Sequence, residues 1–532
     1  MSLISFDFIL FLAMGCLIFY LMPRKLQWIW LLILSFFFYL MGGWKTVGFI
    51  LFTAITTWGG ALLIEHANGA VKRKAASSDV ELTREEKKVL KAQIKRKKQL
   101  YFWGTLLINF GILAYLKYFN FMIENINAVF SISDSTWLKS IPDLILPLGI
   151  SFYTFQSMGY LIDVYWGKIK ADKNPLKFML FVSFFPQILQ GPIGRHAQLT
   201  SQLYGEHKFD LTQFEKGLLL MLWGYFKKLV IANRAILVVN SIFDTPTEYG
   251  GAMALFGALF FALQQYADFS GGIDIVTGAA ELFDIRLAEN FNRPYFSRSL
   301  GEFWRRWHIS LGAWMRDYVF YPFAVTKAMG KFSSSVKKHM GKTMGKVAPV
   351  AIGNILVFLL VGIWHGPYWH YVFWGLYNGV IIAMSAILEP VFEQIKLRLH
   401  INVKAKGYIV FSIVRTFLIV TFGGFFDRSE RISSAFYMIK NVFLRFRVSE
   451  LNIASMLALG PSKIDYIIMI ISFIILFGVE VYKEKKEISI RDAVLKKPLP
   501  IRWGILYVFI FFVAAAAAIA GETVGEFMYA QF

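Results

Sequence analysis

The chain has 532 residues, of which 56% are hydrophobic and 17% are charged, and its mean hydropathy is +0.52. A soluble globular protein carries about 25% charged residues, so this composition excludes an ordinary soluble protein and indicates an integral membrane protein. The net charge of +21 comes from basic segments beside apolar runs, and no nucleic-acid-binding module accompanies it. We therefore predict contact with membrane lipid and no nucleic-acid partner.

Apolar runs that approach the length of a bilayer recur along the chain. A transmembrane helix needs about 20 mostly apolar residues. The sequence therefore predicts an all-α polytopic membrane protein, with about 11 to 13 transmembrane or re-entrant helices around a central cavity or tunnel. The predicted spans are Phe6–Leu21, Trp28–Met41, Thr46–Ile64, Tyr101–Phe119, Leu144–Trp166, Leu218–Ile242, Ala252–Tyr266, Val347–Trp364, Trp369–Ile387, Tyr408–Phe425, Ile464–Val481 and Trp503–Ala520.

The first apolar run contains the single cysteine, Cys16. A lone thiol forms neither an intrachain disulfide nor a thiolate metal site, so cysteine usage says nothing about an oxidising compartment. Residues 2–21 lack a basic first segment and a small-residue cleavage pattern. We expect a retained first helix rather than a cleaved signal peptide.

Basic residues cluster in a few segments that predict the orientation in the membrane. Residues 72–98 hold eleven Lys and Arg against four acidic residues and follow three predicted spans. Because short loops rich in Lys and Arg stay in the cytoplasm, the N-terminus is predicted to be extracytoplasmic. The basic loops 327–346 and 482–502 are also predicted to be cytoplasmic. The segments 124–143 and 521–532, the latter at the C-terminus, are predicted to be extracytoplasmic.

The middle of the chain differs from its ends. Between residues 183 and 321, Pro, Gly and charged residues interrupt the apolar runs. Broken helices at membrane depth occur where they are buried in protein or line a watery cavity, so we predict such a cavity here. The chain is accordingly divided into N-terminal transmembrane helices with a basic cytoplasmic loop (1–143), a core (144–390) and C-terminal transmembrane helices (391–532).

Two carboxylates, Asp268 and Asp274, flank a Ser-Gly-Gly sequence inside an apolar run. Intramembrane carboxylates often mark proton or ion paths. They also cap helices that restart after a break, and we favour capping here.

A second group of polar residues lies between Glu302 and Asp317. Read as one helix, this segment places Trp304 and His308 on one face, and Glu302 and Arg306 on another. An interfacial helix anchored by Trp and Arg accounts for the composition but not for His308. The arginines Arg305, Arg306 and Arg316 suit an anionic group such as a phosphate of a carrier or coenzyme.

The most informative stretch is Gly362-Ile363-Trp364-His365-Gly366-Pro367, which places an imidazole at the end of an apolar run. Burial disfavours the charged form, so His365 is a candidate neutral base near pH 7; a packed histidine at a helix end is the alternative. No nucleophile elbow, zinc-protease or phosphate-loop motif is present. His308, His365 and His370 lack an accompanying carboxylate pattern, and we predict no metal site.

Several motifs together resemble the membrane-bound O-acyltransferases, and among them the bacterial branch typified by alginate O-acetylation. They cover about residues 149–378. The matching stretches are Gly149-Ile150-Ser151-Phe152-Tyr153-Thr154-Phe155-Gln156, Phe184-Phe185-Pro186-Gln187, Gln190-Gly191-Pro192-Ile193, Tyr266-Ala267-Asp268-Phe269-Ser270-Gly271, Phe303-Trp304-Arg305-Arg306-Trp307-His308-Ile309-Ser310-Leu311, Arg316-Asp317-Tyr318 and Trp364-His365-Gly366.

The resemblance implies an acyltransferase whose tunnel crosses the membrane, with 144–390 as its catalytic core. It implies His365 as the catalytic histidine and His308 as a second essential one. It also implies a thioester donor from the cytoplasm, either acetyl-CoA or an acyl carrier, with no bound cofactor. A polysaccharide acceptor and an extracytoplasmic acetyl-transferring partner protein complete the implied system. The residues expected near the donor or tunnel are Gln190, Trp304, Arg305, Arg306, Arg316, Asp317 and Trp364.

Two other functions stay open at this point. A related branch transfers D-alanine towards teichoic acid, and the Lys-rich segments suit an acidic carrier protein. The C-terminal spans from Tyr408 to Ala520 favour the polysaccharide branch, whereas the Lys-rich insert 327–346 departs from its usual pattern. A non-enzymatic transporter or flippase would use the same cavity without making a bond.

Overall fold

The computed structural model describes residues 1–77, 83–130, 141, 146–188, 190–486, 489–519 and 527. Helices make up 82% of the structure, and the only β pairing within the described residues is an isolated bridge between Phe291 and Trp307. This confirms the predicted all-α class. The chain forms two compact units: residues 1–214 with 279–288, and residues 215–278 with 289–532. The three regions proposed from the sequence stay a prediction.

The first unit contains the N-terminal helices. They are α1 (Phe6–Leu21), α2 (Gln27–Met41), α3 (Val47–Ser77), α4 (Arg84–Val129), α5 (Ile150–Trp166), α6 (Pro175–Ser183), α7 (Phe185–Ile188) and α8 (His196–Leu203), with 3-10 turns at Arg24–Leu26 and Trp44–Thr46. The basic start of α4 is helical because Thr83 and Glu86 form a reciprocal capping box.

The second unit contains the two histidine motifs. Its helices are α9 (Leu211–Tyr225, which begins in the first unit), α10 (Asn233–Asp244), α11 (Gly251–Glu281, which ends in the first unit), α12 (Leu300–Arg306), α13 (Ile309–Met315), α14 (Tyr321–Ala324), α15 (Lys327–His365), α16 (Trp369–Arg398), α17 (Lys406–Arg428), α18 (Ile432–Leu444), α19 (Ile453–Ala458), α20 (Lys463–Lys486), α21 (Ile490–Leu495) and α22 (Leu499–Ile519). Phe226–Ala232 and Arg316–Phe320 are π-helical, and Pro294–Phe296 and Val448–Glu450 are 3-10 turns.

Eight helical segments among the described residues are long and apolar enough to cross a membrane. They are Arg24–Met41, Trp44–Gly69, Arg84–Val129, Lys327–His365, Trp369–Arg398, Lys406–Arg428, Lys463–Lys486 and Leu499–Ile519. The apolar helices α1 and α18 are shorter. The predicted span Leu218–Ile242 is α9, a π-helical stretch and α10 in succession. The protein is a multi-pass membrane protein, as expected.

The Lys-rich insert 327–346, which the sequence predicts to be a cytoplasmic loop between spans, has a helical backbone. Thr326 caps α15, and the insert is helical except at Gly341, whose φ of 88° lies in the left-handed region. The hydroxyl of Ser333 donates to the carbonyl of Gly345 at 2.7 Å, although twelve residues of straight helix span about 18 Å. The chain therefore reverses at Gly341 into a helical hairpin that exposes all six lysines.

Helices α15 and α16 approach each other closely behind His365. A Cβ on Gly362 would lie 2.4 Å from the carbonyl oxygen of Tyr371, and one on Gly375 would lie 2.3 Å from that of Phe358. Small residues allow membrane helices this backbone-to-backbone contact. The end of α15, with its histidine, is thus fixed against α16.

Some sequence-based expectations fall outside the described residues. Of the predicted extracytoplasmic segment 124–143, residues 131–140 and 142–143 are not described, and of the tail 521–532 only Phe527 is. Residues 78–82 of the basic segment 72–98 are also outside.

Candidate active site

His308 lies in a sharp turn between α12 and α13. The backbone N–H of Trp307 makes the last bond of α12, and His308 has a φ of 45° and a ψ of 52°. Asn292 N donates to Arg306 O at 2.9 Å, and Ile309 N donates to Asn290 O at 3.0 Å. The single helix expected over 302–317 is therefore wrong. Backbone hydrogen bonds with Asn290 and Asn292 replace the bonds that a continuous helix would make at this point.

The side chain of Asn290 determines which nitrogen of His308 carries a proton. Its Oδ1 accepts from the backbone N–H of Ser310 at 3.0 Å and from the Ser310 hydroxyl at 2.8 Å. Because a backbone N–H only donates, the accepting atom is the oxygen of the amide and not its nitrogen. The same oxygen lies 3.1 Å from His308 Nδ1. In this geometry Nδ1 carries the hydrogen, and Nε2 of the neutral ring holds a lone pair.

His308 is kept neutral by its surroundings. Only 3% of its surface is exposed, and the ring of Phe269 meets it edge-on with centroids 4.9 Å apart. Burial holds the pKa of the His308 imidazole well below its ordinary value, and His365 lowers it further. The ring is therefore an uncharged hydrogen-bond acceptor or base at neutral pH.

His365 is the last residue of α15 and packs among aromatic rings. Its ring centroid lies 4.8 Å from that of Trp374, 5.2 Å from that of Trp364 and 5.8 Å from that of Tyr371. Its exposed fraction is 8%. Gly366 follows with extended backbone, and α16 starts at Trp369, so the chain turns directly after the imidazole.

The structure brings the two histidines together although 57 positions separate them in the sequence. Trp364 links them, since its ring centroid is 6.0 Å from that of His308 and 5.2 Å from that of His365. Trp304 of α12 donates its indole N–H to Asn378 of α16 at 3.1 Å and packs edge-on against Trp374. The site thus joins two histidines through a wall of tryptophans, all within the second unit.

The predicted donor residues have different surroundings. Arg305 is exposed. Arg306 makes ion pairs with Glu302 at 2.7 Å and with Glu484 at 3.3 Å. Arg316 is exposed and pairs with Asp317 at 2.9 Å. Arg306 therefore has a structural partner on α20 as well as the helical partner expected from its spacing.

Gln190 lies in the first unit. It is 1% exposed, and neither amide atom has a hydrogen-bond partner within the described part of the chain. A buried amide without a hydrogen-bond partner costs free energy, so Gln190 is an unusual polar side chain in the interior of the first unit. Its predicted role near the donor or tunnel stays a prediction.

Asp268 and Asp274 do not cap helices, and the favoured capping interpretation is wrong. Helix α11 continues through both residues. Lys228 Nζ lies 2.6 Å from Asp268 Oδ1, and Lys227 Nζ lies 2.7 Å from Asp274 Oδ2. Each carboxylate faces a lysine of the π-helical stretch, which provides the opposite charge that a buried ion requires.

Sequence reasoning missed Asn290, Trp374, Asn378 and the two lysines. The lysines carried a visible signal, since Lys227-Lys228 interrupts an apolar run, as does Asp268. Asn290 carried no such signal, because it lies eighteen positions before His308 and reaches that ring only when the chain folds back. No group of three metal-ligating side chains occurs within the residues that the structure describes.

Comparison with known proteins identifies the family of this chain. The model of the MBOAT, membrane-bound O-acyltransferase family, matches residues 169–337, which include His308 but not His365. The chain is similar to the probable alginate O-acetylase AlgI of Pseudomonas syringae pv. tomato, with 31% identity over 90% of this chain and 82% of the relative. This chain belongs to the membrane-bound O-acyltransferase family and is a membrane acyltransferase.

More distant matches carry other functional names. The chain is similar to the peptidoglycan O-acetyltransferase of Helicobacter pylori, with 29% identity over 67% of each chain. It is also similar to the teichoic acid D-alanyltransferase of Bacillus subtilis, with 29% identity over 53% of this chain and 68% of the relative.

Proposed function

We propose that this protein moves an acetyl group from a cytoplasmic thioester donor to a hydroxyl of an exopolysaccharide or cell-wall polymer outside the membrane. The observation that carries the proposal is the meeting of two buried imidazoles around Trp364. The relatives named as O-acetylases support acetyl as the group transferred. The site residues are part of the proposal.

His365 is proposed as the base. Its imidazole takes the proton of the attacking hydroxyl as the oxygen bonds to the thioester carbonyl carbon. The carbon–sulfur bond then breaks, and the same proton passes to the leaving sulfur, so charge and atoms balance. Proton transfer by a positioned side chain accelerates such a step about 100- to 10,000-fold. The ring packing leaves His365 only 8% exposed, which limits the access of water that would hydrolyse the donor.

His308 is proposed to position a reactant. Two roles are considered for it, holding the donor thioester and stabilising developing charge. With the hydrogen on Nδ1, its Nε2 accepts a hydrogen bond, and in this state that atom has no proton to donate to a developing oxyanion. Nε2 therefore suits the attacking hydroxyl or a protonated His365.

Donor and acceptor are proposed to reach the site from opposite sides. The positive charge of the basic segments favours a cytoplasmic position for the Lys-rich hairpin and residues 482–502, and an extracytoplasmic position for both termini. The exposed Arg305 and Arg316 lie in the second unit with the histidines and suit donor phosphates. Transfer through an extracytoplasmic acetyl-transferring partner protein, rather than directly to the polymer, is part of this proposal.

D-alanyl transfer from a carrier protein is the second candidate. The Bacillus subtilis match and the six exposed lysines of residues 327–346 favour it. The chain belongs to an acyltransferase family, and no observation favours a transporter or flippase instead.

The test is the ester content of the cell surface. Mild alkali releases acetate and D-alanine from polymer esters, measured in wild type, a deletion strain and a His365→Ala complement. The proposal predicts that ester acetate disappears from the last two strains. Loss of D-alanine with unchanged acetate would establish the second candidate, and loss of neither would contradict both.

A further inference from the structure

Two cavities of the second unit meet at a shared wall. The first, here the groove, has a volume of about 710 Å³ and lies between α11, the turn Pro294–Phe296, α17 and α20. The second, here the basin, has a volume of about 780 Å³ and lies between α9, α11, α20, α21 and α22. Tyr266, Arg293 and Glu480 line both cavities. Neither histidine of the candidate active site lines either one.

The groove has the length of a lipid acyl chain. Along α20 it is lined by Tyr466, Met469, Ile470, Phe473, Phe477 and Glu480, which recur at helical spacing. Fourteen residues of helix separate the first from the last, or about 21 Å. One leaflet of the hydrocarbon core is about 15 Å thick, so the groove holds a whole chain. Its sides are two membrane-spanning helices, α17 and α20.

The groove ends at the buried carboxylate of Glu480, which is 7% exposed. Its Oε2 makes no close hydrogen bond within the described residues, and the hydroxyl of Tyr266 is the neighbouring donor on the protein side. The nearest cation, Lys483, lies 3.7 Å from the other oxygen. A buried carboxylate is stabilised by hydrogen bonds to each oxygen, which a ligand ammonium would supply.

The basin has charges of both signs. Its lining includes four cations, Lys227, Arg293, Lys483 and Arg491, and three carboxylates, Asp274, Glu289 and Glu480. A purely anionic ligand would be repelled by the carboxylates, and a purely cationic ligand would be repelled by the lysines and arginines. Lys227 already pairs with Asp274, Lys483 with Glu480 and Arg293 with Glu484. A zwitterion with a phosphate and a nearby ammonium joins these ion pairs without adding an excess of either charge.

We propose that groove and basin together bind one phospholipid with a primary ammonium headgroup. An acyl chain occupies the groove, the phosphate lies against Arg293 and Lys483, and the ammonium donates to Glu480. A soluble thioester donor would fill the basin but leave the apolar groove open to the bilayer. This lipid site does not depend on the acyl-transfer proposal.

The experiment uses the full chain in nanodiscs containing equal parts of phosphatidylethanolamine, phosphatidylcholine and phosphatidylglycerol. Native mass spectrometry measures the lipid that stays bound when the disc is removed. We expect phosphatidylethanolamine to exceed phosphatidylcholine about tenfold, since only the primary ammonium donates a hydrogen bond, and a charge-assisted bond contributes about 1.5–3 kcal/mol. Equal retention of the three lipids, or a preference for phosphatidylglycerol, would overturn the proposal.

Two variants separate the headgroup from the groove. Glu480→Gln keeps the side-chain shape and removes the charge, so the phosphatidylethanolamine-to-phosphatidylcholine ratio should fall to near one. Ile470→Trp fills the groove and should remove most bound lipid. Its matched control is Ile474→Trp, on the same helix and similarly exposed (63% against 59%) but outside the groove. Full selectivity in Glu480→Gln, or equal lipid loss in both tryptophan variants, would contradict the assignment.

Discussion

The two histidines of the candidate site are held in different ways. His308 lies in a left-handed turn and is oriented by a hydrogen bond to Asn290. His365 ends a long helix and is surrounded by the rings of Trp364, Tyr371 and Trp374. A hydrogen bond fixes which nitrogen carries the proton, whereas ring packing fixes position and excludes water. The difference suggests a fixed acceptor at His308 and a proton carrier at His365.

The largest effect is expected at the proposed base. His365→Ala should reduce acyl transfer about 1,000-fold or more, because it removes the imidazole proposed to take the hydroxyl proton. Transfer is measured as ester acetate formed per protein in the membrane. His339→Ala is the matched control, since His339 is exposed in the first arm of the Lys-rich hairpin and its Nδ1 lies 2.9 Å from the backbone oxygen of Ser335 in the same arm. Wild-type activity in His365→Ala would remove that residue from the mechanism.

A smaller loss is expected for the positioning histidine. His308→Gln should reduce transfer about 100-fold, because the lone pair of Nε2 is lost while a polar side chain of similar reach remains. The rate with saturating donor separates a loss of turnover from a loss of donor binding. A change confined to the donor concentration dependence would return His308 to a donor-holding role.

The hydrogen bond that sets the tautomer is tested at Asn290. Asn290→Ala should reduce transfer about 10- to 100-fold, while Asn290→Asp, which keeps an acceptor oxygen, should lose less. Selective ¹⁵N-histidine NMR reads the protonated nitrogen of His308 directly. The proposed role is contradicted if Asn290→Ala leaves both the His308 tautomer and the rate unchanged.

The smallest effect is expected from opening the ring packing around His365. Trp374→Leu should reduce transfer about tenfold and increase hydrolysis of the donor, since water then reaches the site. The measurement compares donor consumed with ester formed. The His308 tautomer should not change in this variant, and a change there would mean that the two regions are not held separately.

The long helices were predictable from the sequence, but the turn at His308 was not. Hydropathy identifies α15, α16, α17, α20 and α22, because each must hide its backbone from lipid within one segment. The turn depends on bonds from residues 290–292, and no local pattern in 302–317 signals it. The apolar-polar periodicity of that segment therefore indicated one helix where the structure has two.

The ion-pair partners of charged residues were equally hard to predict from the sequence. Asp268 and Asp274 stood out in an apolar run, yet their partners Lys227 and Lys228 lie some forty positions earlier on a separate helical stretch. Sequence spacing gives neighbours on one helix, such as the Glu302–Arg306 ion pair, which the structure contains at 2.7 Å. It does not give contacts between helices.

His308 and His365 are proposed above all to act as one site. The direct measurement is a double-mutant cycle on the rate of ester formation with His308→Gln, His365→Ala and both together. If the two imidazoles serve one proton-transfer step, the double variant should lose no more than His365→Ala alone, because effects of residues that act as a unit do not multiply. Losses that multiply would show two independent contributions and would contradict the account.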